Sequence, residues 1–563
     1  MCTYNHLSRF KNEEIILFSV LIIAHIALVW LFKYFPTQDG PAHVYNADLI
    51  LQYNHSVYDV FREYLTVNSR LDPTWFSHLL LSALLAVFPF LTAEKLLVSI
   101  YVLLLPLAAR YTLGVIRPES KFLAILFFPF IFNYLLHMGF YAFSMSLPIS
   151  LFTIGFWIKH QDHLSLKNIV LLALLSTILY FNHLVSFAMT CLIIAVLFSG
   201  SFLLDMWASI QNHFSDLRSV CHSAAFKALK TLAAFSIAAV LAALFVFSRE
   251  TQHAAGQPLV PRFSDYVHVM SIVSYDHREI WFSSALMVLL IAISFYFFIR
   301  NVEKGGFKRQ DLLLVVCIAC FLFYLKVPET TLVSEHGMSG GLFMDYRVSF
   351  YPYFMLMFWL GAQTFSKPMR RTIQIFACMI VIGLLGLNLK SHSKINDYLH
   401  EYTSASYLIE PGSTLLPLES CDDQWQIAYK NRILPLLHAS AYIATERAVL
   451  SLRNYEADMG YFPFIYKYEK NPFRHIGEIE CNHEPAPLDF RTYPERTGGR
   501  IDYILVWLGK EVNVNHENLK SIYRQLESDF ELIYQSPQRG WIELYRRVNN
   551  RSDRTPPSTV RLD

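Results

Sequence analysis

Residues 14–35 read EIILFSVLIIAHIALVWLFKYF, and residues 36–43, which follow directly, read PTQDGPAH. The first stretch carries charge only near its two ends and is long enough, as a helix, to cross about 30 Å of hydrocarbon. The second stretch places a carboxylate, Asp39, where this segment leaves the membrane. Together they indicate a membrane protein with a polar group at the surface of the bilayer.

The composition separates a long apolar part of the chain from a shorter polar part. Of the 563 residues, 54% are hydrophobic and only 16% are charged, whereas soluble proteins carry about 25% charged residues. Residues 391–563 hold 44 of the charges in 173 positions, and residues 1–390 hold 48 in 390 positions. We therefore expect a transmembrane domain at 1–390 and a soluble domain at 391–563. The net charge of +2, without a concentrated basic patch, argues against a nucleic-acid partner.

Eleven apolar stretches are candidates for membrane spans. A twelfth, Trp75–Phe90, is about sixteen residues long and is by length either a short span or a segment lying along the membrane surface. The eleven lie at roughly 14–35, 95–115, 121–137, 140–158, 166–182, 184–204, 229–247, 280–300, 311–326, 349–366 and 371–389.

The basic residues of the loops favour one topology, because Lys and Arg collect on the cytoplasmic side of short loops. If Trp75–Phe90 does not cross, all the basic loops lie inside, and the C-terminal domain lies outside. We therefore predict eleven spans, a cytoplasmic N-terminus, and a first outer loop at 36–94 with one or two surface helices. The basic loops are 110–121, 159–167, 205–228, 300–310 and 367–371.

The polar tail has patterns of both strands and helices. Tyr503–Trp507 is an apolar run, and Phe530–Tyr534 and Trp541–Tyr545 flank a turn that contains Pro537 and Gly540. These patterns predict a strand and a β-hairpin. The spacing of apolar residues in 433–452 is helical. We expect an α+β domain.

The eight cysteines do not form a disulfide scaffold in a chain of this length. Cys317 and Cys320 lie inside an apolar run, where packing is a better interpretation than a redox or zinc site. Cys421 and Cys481 are the two cysteines of the polar tail, and they are able to pair if the tail faces an oxidising compartment.

The polar cluster after the first span has two interpretations. In one, Asp39-Gly40-Pro41 is a turn in which Asp39 caps a helix through 44–52 and Pro41 occupies its first position. In the other, Asp39 is a partly desolvated base that accepts the proton of a hydroxyl group. The local sequence alone favours the turn.

The layout and several motifs resemble the glycosyltransferase C superfamily, which includes protein mannosyltransferases, oligosaccharyltransferases and aminoarabinose transferases. There, a first span precedes an acidic residue in a long outer loop with surface helices, about ten further spans and a soluble outer domain. The motif Asp-Gly-Pro-x-His of similar bacterial members is found here at 39–43. Other similar stretches are Tyr134–Phe143, Asn182–Phe187, Asp345–Arg347, Leu437–Tyr442 and Asp502–Trp507.

The resemblance implies an α-helical polytopic membrane protein of the bacterial inner membrane, with an α+β domain outside. It implies a glycosyltransferase that moves a sugar from a polyprenyl-phosphate or diphosphate carrier, with inversion, to a glycan, lipid or protein of the cell envelope. Asp39 would be the catalytic base or orienting carboxylate. The superfamily's acidic residue in the second outer loop is absent, and His137 stands there instead. No cofactor is therefore predicted with certainty, and use of a divalent metal is left open.

The leaving phosphate of such a donor needs cations. Arg347, Arg262 and Arg278 lie in outward-facing segments on the predicted topology, and arginine binds phosphate with two hydrogen bonds. The alternative for each is an interfacial anchor. Arg347 follows Asp345 at the mouth of a span, and this position favours a role in phosphate binding. For Arg262 and Arg278 the sequence favours neither phosphate binding nor an interfacial anchor.

Three histidines lie at outer ends of spans or on the first-loop helix: His43, His137 and His183. Near Asp39 they would be able to donate to a phosphate or hold a zinc ion, although a lone histidine at a span end is usually an interfacial polar group. With Asp345, they complete the set of candidate polar residues.

Two other functions fit the sequence less well. A flippase or permease for a lipid-linked glycan would be expected to have charged residues within its spans and repeated halves, and neither is visible. A non-catalytic subunit of a polysaccharide assembly system remains an alternative that no residue excludes.

Overall fold

The computed structural model describes residues 2–54, 59–211, 217–248, 258–303, 307–328, 332–333, 339–340, 343–419, 432–480, 486–507 and 516–548. Contacts divide the chain into two units. Unit 1 comprises Met1–Phe35, Arg70–Leu84 and Leu91–Ser393, and unit 2 comprises Pro36–Ser69, Leu85–Phe90 and Lys394–Asp563. By its contacts, most of the first outer loop thus belongs with the tail. The predicted domain boundary after residue 390 stays a prediction.

Helices dominate the first 402 residues. They are α1 (Cys2–Trp30), α2 (Gly40–Gln52), α3 (Asp59–Tyr64), α4 (Trp75–Leu85), α5 (Phe90–Ile116), α6 (Tyr134–His137), α7 (Tyr141–His160), α8 (Leu166–Asn182), α9 (Leu184–Gln211), α10 (Leu217–Phe247), α11 (Leu259–Val267), α12 (Glu279–Glu303), α13 (Leu312–Lys326), α14 (Met344–Gly361) and α15 (Lys367–Tyr402). Short 3-10 helices are at Pro118–Phe130, Met270–Ile272, Arg309–Asp311, Thr403–Leu408 and Tyr468–Lys470.

Among the described residues, the tail adds five α-helices and most of the strands. The helices are α16 (Ser440–Arg447), α17 (Tyr455–Met459), α18 (Pro472–His475), α19 (Tyr493–Thr497) and α20 (Glu517–Asp529). The strands of the chain are β1 (Leu65–Val67), β2 (Leu332–Val333), β3 (Ser339–Gly340), β4 (Thr414–Glu419), β5 (Leu450–Ser451), β6 (Phe464–Tyr466), β7 (Tyr503–Trp507), β8 (Phe530–Gln535) and β9 (Ile542–Arg547).

The predicted fold class is confirmed: the protein is a helical membrane protein with a sheet-containing C-terminal region. The number of eleven spans is not confirmed. Within the described ranges, seven helices are long and apolar enough to cross a membrane. They are Glu13–Trp30, Phe90–Ile116, Tyr141–His160, Leu184–Gln211, Leu217–Phe247, Glu279–Glu303 and Lys367–Leu408.

The remaining predicted spans are shorter or differently built. The stretch 121–137 forms a 13-residue 3-10 helix and then the one-turn α6; Pro129 lacks the backbone donor that an α-helix needs there. α8, α13 and α14 contain 17, 15 and 18 residues. α4 has 11 residues, which at 1.5 Å per residue is too short to cross. This length agrees with the prediction that Trp75–Phe90 does not span.

Unit 2 is built around a five-stranded sheet with the order β5-β4-β7-β9-β8. β4 is parallel to β5 and β7, whereas β9 pairs antiparallel with β7 and β8. The strand predicted at Tyr503–Trp507 is β7, and the predicted hairpin is β8 and β9, with Gly540 at a φ of 72° in its turn. Glycine adopts this left-handed conformation without steric cost.

The helix predicted over 433–452 was wrong at both ends. Helical structure is confined to α16, which ends where Ala448 adopts a left-handed conformation with φ of 51°. The next residues leave the helix because β5 pairs with β4. Helical spacing in the sequence does not reveal this competing strand pairing.

A second, smaller sheet ties the first outer loop to the tail within unit 2. β1 pairs antiparallel with β6, so that Leu65 faces Tyr466 and Val67 faces Phe464. The predicted surface helix after the first span is α2, nine of whose thirteen residues are buried.

Cys317 and Cys320 are buried and unbonded on α13, and the Cys317 thiol donates to the carbonyl of Pro352 at 3.2 Å. Both cysteines thus pack, as predicted. Cys421 and Cys481 lie outside the described residues.

Candidate functional site

Asp39 occupies the position immediately before α2, but its side chain does not cap that helix. Its carboxylate makes no capping hydrogen bond to the backbone, and only 6% of the residue is exposed. Its Oδ1 instead accepts a hydrogen bond from Gln38 Nε2 at 3.1 Å and lies 3.5 Å from His438 Nε2. The turn interpretation explains the backbone; the side chain is directed to other polar groups of unit 2.

Burial raises the pKa of Asp39 to about 8. The hydrogen bond from Gln38 opposes this shift, and the negative charges of Glu480 and Glu456 add to it. A hydrogen bond from Tyr455 is a smaller opposing effect. Asp39 is therefore a carboxyl group that exchanges its proton near neutral pH, as a general base must.

The groups around Asp39 come from the tail. His438 lies in the turn before α16, and Tyr455 is the first residue of α17; their ring centroids are 4.5 Å apart. Burial holds the pKa of His438 well below its ordinary value, so a neutral imidazole faces Asp39. Gln38 is held in place because its Oε1 accepts the amide of Leu434 at 2.9 Å.

One turn further along α2, His43 pairs with a second buried acid. His43 Nδ1 lies 2.6 Å from Glu456 Oε1. Histidine and carboxylate are both ligand types that zinc accepts.

A buried cation completes the polar cluster of unit 2. Arg453 is 3% exposed and its Nη2 lies 2.7 Å from Glu419 Oε1. Its Nε and Nη1 have no hydrogen-bond acceptor among the described residues. The Arg453 charge helps to lower the pKa of His438, and it opposes the burial that raises the pKa of Glu480 to about 7.

The sequence pointed to Asp39 and His43 but missed their partners. His438 lies in Leu437–Tyr442, a stretch similar to the glycosyltransferase C superfamily, but the sequence indicates no role for this histidine. The sequence signal for the missed partners was a polar run just after β5, which contains Arg453, Tyr455 and Glu456. A single sequence does not show that residues 39 and 438 meet.

The other predicted site residues belong to unit 1, where Arg347 lies close to His183. The Arg347 guanidinium stacks on the ring of Phe140 at 4.8 Å, and its charge adds to burial in lowering the pKa of His183. Asp345 is buried in the first turn of α14 and accepts the amide of Tyr346 at 2.9 Å. The structure therefore brings together a cation and a histidine from segments that the sequence singled out separately.

His137 is packed in the interior of unit 1. Its Nδ1 is 3.0 Å from Ser274 Oγ, and its Nε2 is 3.2 Å from Nε2 of His392. The rings of Phe35 and Tyr275 lie against it. His137 is therefore a buried histidine with a polar partner at each of its two ring nitrogens.

Arg262 and Arg278 have protein partners. The buried Arg262 donates from Nη1 to the carbonyls of Tyr324, Leu325 and Val327, which places its charge at the C-terminal end of α13, where a helix favours cations. Arg278 is half exposed and makes a two-point contact with Asp276, with Nε–Oδ1 of 3.0 Å and Nη2–Oδ2 of 2.5 Å.

No family model matches the sequence, and no curated protein is significantly similar to it. The chain is similar in structure to ArnT from Cupriavidus metallidurans, whose crystal structure was determined in the apo state. The likeness covers 94% of this chain and 98% of that chain, with 10% sequence identity and a TM-score of 0.47.

Proposed function

We propose that the protein is a membrane glycosyltransferase that moves a sugar from a polyprenyl-phosphate-linked donor to an acceptor of the cell envelope. The acceptor is a hydroxyl group of a glycan, lipid or protein. The reaction takes place at the extracytoplasmic face of the bacterial inner membrane and inverts the anomeric carbon. The resemblance of the sequence motifs supports the reaction class, and the environment of Asp39 supports the chemistry.

The observation that carries the proposal is the burial of Asp39, which follows the first predicted span in the sequence and does not cap α2 through its side chain. A carboxylate that capped α2 would have an ordinary structural role, but the capping bond is absent. A buried carboxyl with a pKa near 8 destabilises the fold at neutral pH, because the same group in the unfolded chain would release its proton. Groups with strongly shifted pKa values mark candidate catalytic sites.

In the proposed reaction, ionised Asp39 accepts the proton of the acceptor hydroxyl while the hydroxyl oxygen attacks the anomeric carbon of the donor sugar. The bond from that carbon to the carrier phosphate breaks, and the phosphate leaves with the bonding electron pair. One displacement inverts the centre, so no second nucleophilic carboxylate is needed. His438 and Tyr455 orient the Asp39 carboxyl before and after proton transfer.

Arg347 is the proposed cation for the leaving phosphate. Its ring contact with Phe140 holds the plane of the guanidinium, and an arginine binds phosphate with two hydrogen bonds. Arg262 and Arg278 remain candidates for the same task, although the carbonyls at the end of α13 and the Asp276 carboxylate already occupy them.

The proposal is tested with membranes that contain the overexpressed protein. A panel of radiolabelled sugars on polyprenyl phosphate and polyprenyl diphosphate is added, and label is followed into lipid, glycan and protein fractions. We expect one donor to give label that depends on the protein. Purified protein in detergent that transfers the same label excludes a flippase, which needs two compartments. Failure of every donor in the panel, with stable protein, would argue for the non-catalytic alternative.

A further inference from the structure

Two cavities adjoin each other in unit 1, around Arg110 and Lys121. The first has a volume of about 770 Å³ and lies between α1, the 3-10 helix that begins at Pro118, and α15. The second has a volume of about 700 Å³ and lies between α5 and α7. Arg110 and Lys121 line both cavities, so the two share one wall.

The charge around these cavities is strongly positive. Five cations and three carboxylates line the first cavity, an excess of two positive charges. The lining of the second contains three cations and no carboxylate. The cations are Arg110, Lys121, Lys367, Arg370 and Arg371 in the first cavity and Arg110, Lys121 and Lys159 in the second.

Several of these cations are available to a ligand. Arg370 is held with its guanidinium 5.2 Å from the centre of the Phe122 ring. Within the described ranges, Arg370, Lys121 and Lys159 form no ion pair. Arg110, in contrast, is fixed by Glu14 at 2.6 Å and by the ring of Phe18. A rigid central cation thus lies between groups whose charge the protein itself does not neutralise.

Apolar side chains line both cavities together with the cations. Ile375, Met379 and Ile382 line the first cavity, and between 50% and 65% of each is exposed along α15. Leu107, Val115 and Ile158 line the second. α15 is among the helices apolar enough to span the membrane, so these side chains lie where acyl chains run. Cations above an apolar wall are complementary to an anionic lipid.

We propose that the two cavities bind one anionic phospholipid that carries two phosphate groups, a diphosphatidylglycerol. One phosphate would bind beside Arg370 and Lys121 and the other beside Lys121 and Lys159, with acyl chains along α15 and along α5 and α7. Basic pockets between helices on the cytoplasmic side are suited to such headgroups, and the loops that supply these cations are the ones predicted to be cytoplasmic. This site is independent of Asp39 and of the proposed reaction.

The test measures lipid binding to the full-length protein in detergent by native mass spectrometry. The lipids are tetraoleoyl cardiolipin, dioleoyl phosphatidylglycerol and dioleoyl phosphatidylcholine. The variant Lys121→Gln/Arg370→Gln is compared with Lys227→Gln/Arg309→Gln. The control removes two basic residues from other basic loops, where Lys227 pairs with Asp162 and Arg309 pairs with Asp205.

We expect wild-type protein to bind cardiolipin more tightly than phosphatidylglycerol, and phosphatidylcholine least. The Lys121→Gln/Arg370→Gln variant is expected to bind cardiolipin about 30-fold more weakly, and the control within about threefold of wild type. Lys159→Gln alone, which breaks no protein contact among the described residues, should weaken cardiolipin binding but leave phosphatidylglycerol nearly unchanged. Equal binding of the three lipids, or an equal loss in the control, would overturn the proposal. Equal affinity for cardiolipin and phosphatidylglycerol would refute the two-phosphate site.

Discussion

Asp39 combines burial, a polar neighbourhood and a raised pKa in one side chain. Of its partners, Gln38 and Tyr455 donate hydrogen bonds and His438 is neutral, so none of them fixes the carboxyl in its charged form as an arginine would. At a given pH, a shift of one pKa unit changes the ratio of protonated to ionised carboxyl by a factor of ten. The residue therefore remains mostly protonated at neutral pH and ionises on the alkaline side.

This pKa predicts how the transfer rate depends on pH. Only the ionised form of Asp39 is a base, so kcat/KM should rise about tenfold per pH unit below about pH 7, reach half its maximum near pH 8 and approach a plateau near pH 9. The measurement is the rate at limiting donor concentration between pH 5.5 and 9. A rate that is flat across this range, or that falls as the pH rises, would show that ionisation of Asp39 does not govern transfer.

At the scale of residues, the sequence indicated single candidate residues but not which residues are in contact with one another. The position of Asp39 after the first span and the motif at 39–43 made this carboxylate a candidate. Its partners His438 and Tyr455 are about 400 residues away in the chain, and no local pattern connects them. Arg262 is a further case: the sequence did not reveal that its guanidinium is buried at the end of α13, where it donates to the carbonyl of Val327.

At the scale of elements, α2 is joined to the tail by hydrogen bonds inside unit 2. The side-chain amides of Asn46 and Asn454 form two hydrogen bonds with each other, of 2.9 and 2.8 Å, and both residues are buried. The hydroxyl of Tyr45 donates to the carbonyl of Val449 and accepts the amide of Ser451, each at 3.1 Å. These bonds set the position of α2, and therefore of Asp39 at its start, relative to His438.

Breaking the asparagine pair should loosen this connection. Asn46→Ala removes both of these partners from the buried side chain of Asn454, and Asn454→Ala leaves Asn46 Oδ1 without its donor, although Asn46 Nδ2 still donates to the carbonyl of Ala42. A buried polar group that loses its partner costs about 1–3 kcal/mol. The double variant should be less destabilised than the sum of the two single variants, because it leaves neither amide behind. Thermal melts of the purified protein in detergent test this. Strictly additive effects would mean that the two side chains do not interact.

Element prediction succeeded where the signal was local. β7 was found because it is a short apolar run, and β8 and β9 were found because two short runs flank turn residues. The segment 433–452 was mistaken because the pairing of β5 with β4 depends on residues far away in the chain. The 3-10 helix at Pro118–Phe130 escaped detection because apolar composition alone does not distinguish it from an α-helical span.

At the scale of the whole molecule, the uneven charge density predicted both a membrane part and a polar part. The orientation of the chain stays a prediction from its basic loops. It is tested in intact cells with a membrane-impermeant maleimide, on chains whose other cysteines are replaced by serine. The native Cys221, which is exposed near the start of α10, should remain unlabelled, and a cysteine introduced as Lys520→Cys on α20 should be labelled. The reverse pattern would invert the topology and place Asp39 in the cytoplasm.

The most direct test compares two substitutions on the same short segment. Asp39→Asn keeps the shape of the protonated carboxyl but removes the base, whereas Asp48→Asn alters a carboxyl on α2 that pairs with Gln52. With purified protein and the donor that membranes use, Asp39→Asn should lower the rate of sugar transfer by about 10²- to 10⁴-fold without lowering the melting temperature. Asp48→Asn should transfer at nearly the wild-type rate. Transfer by Asp39→Asn at the wild-type rate would contradict the assignment of Asp39 as the base.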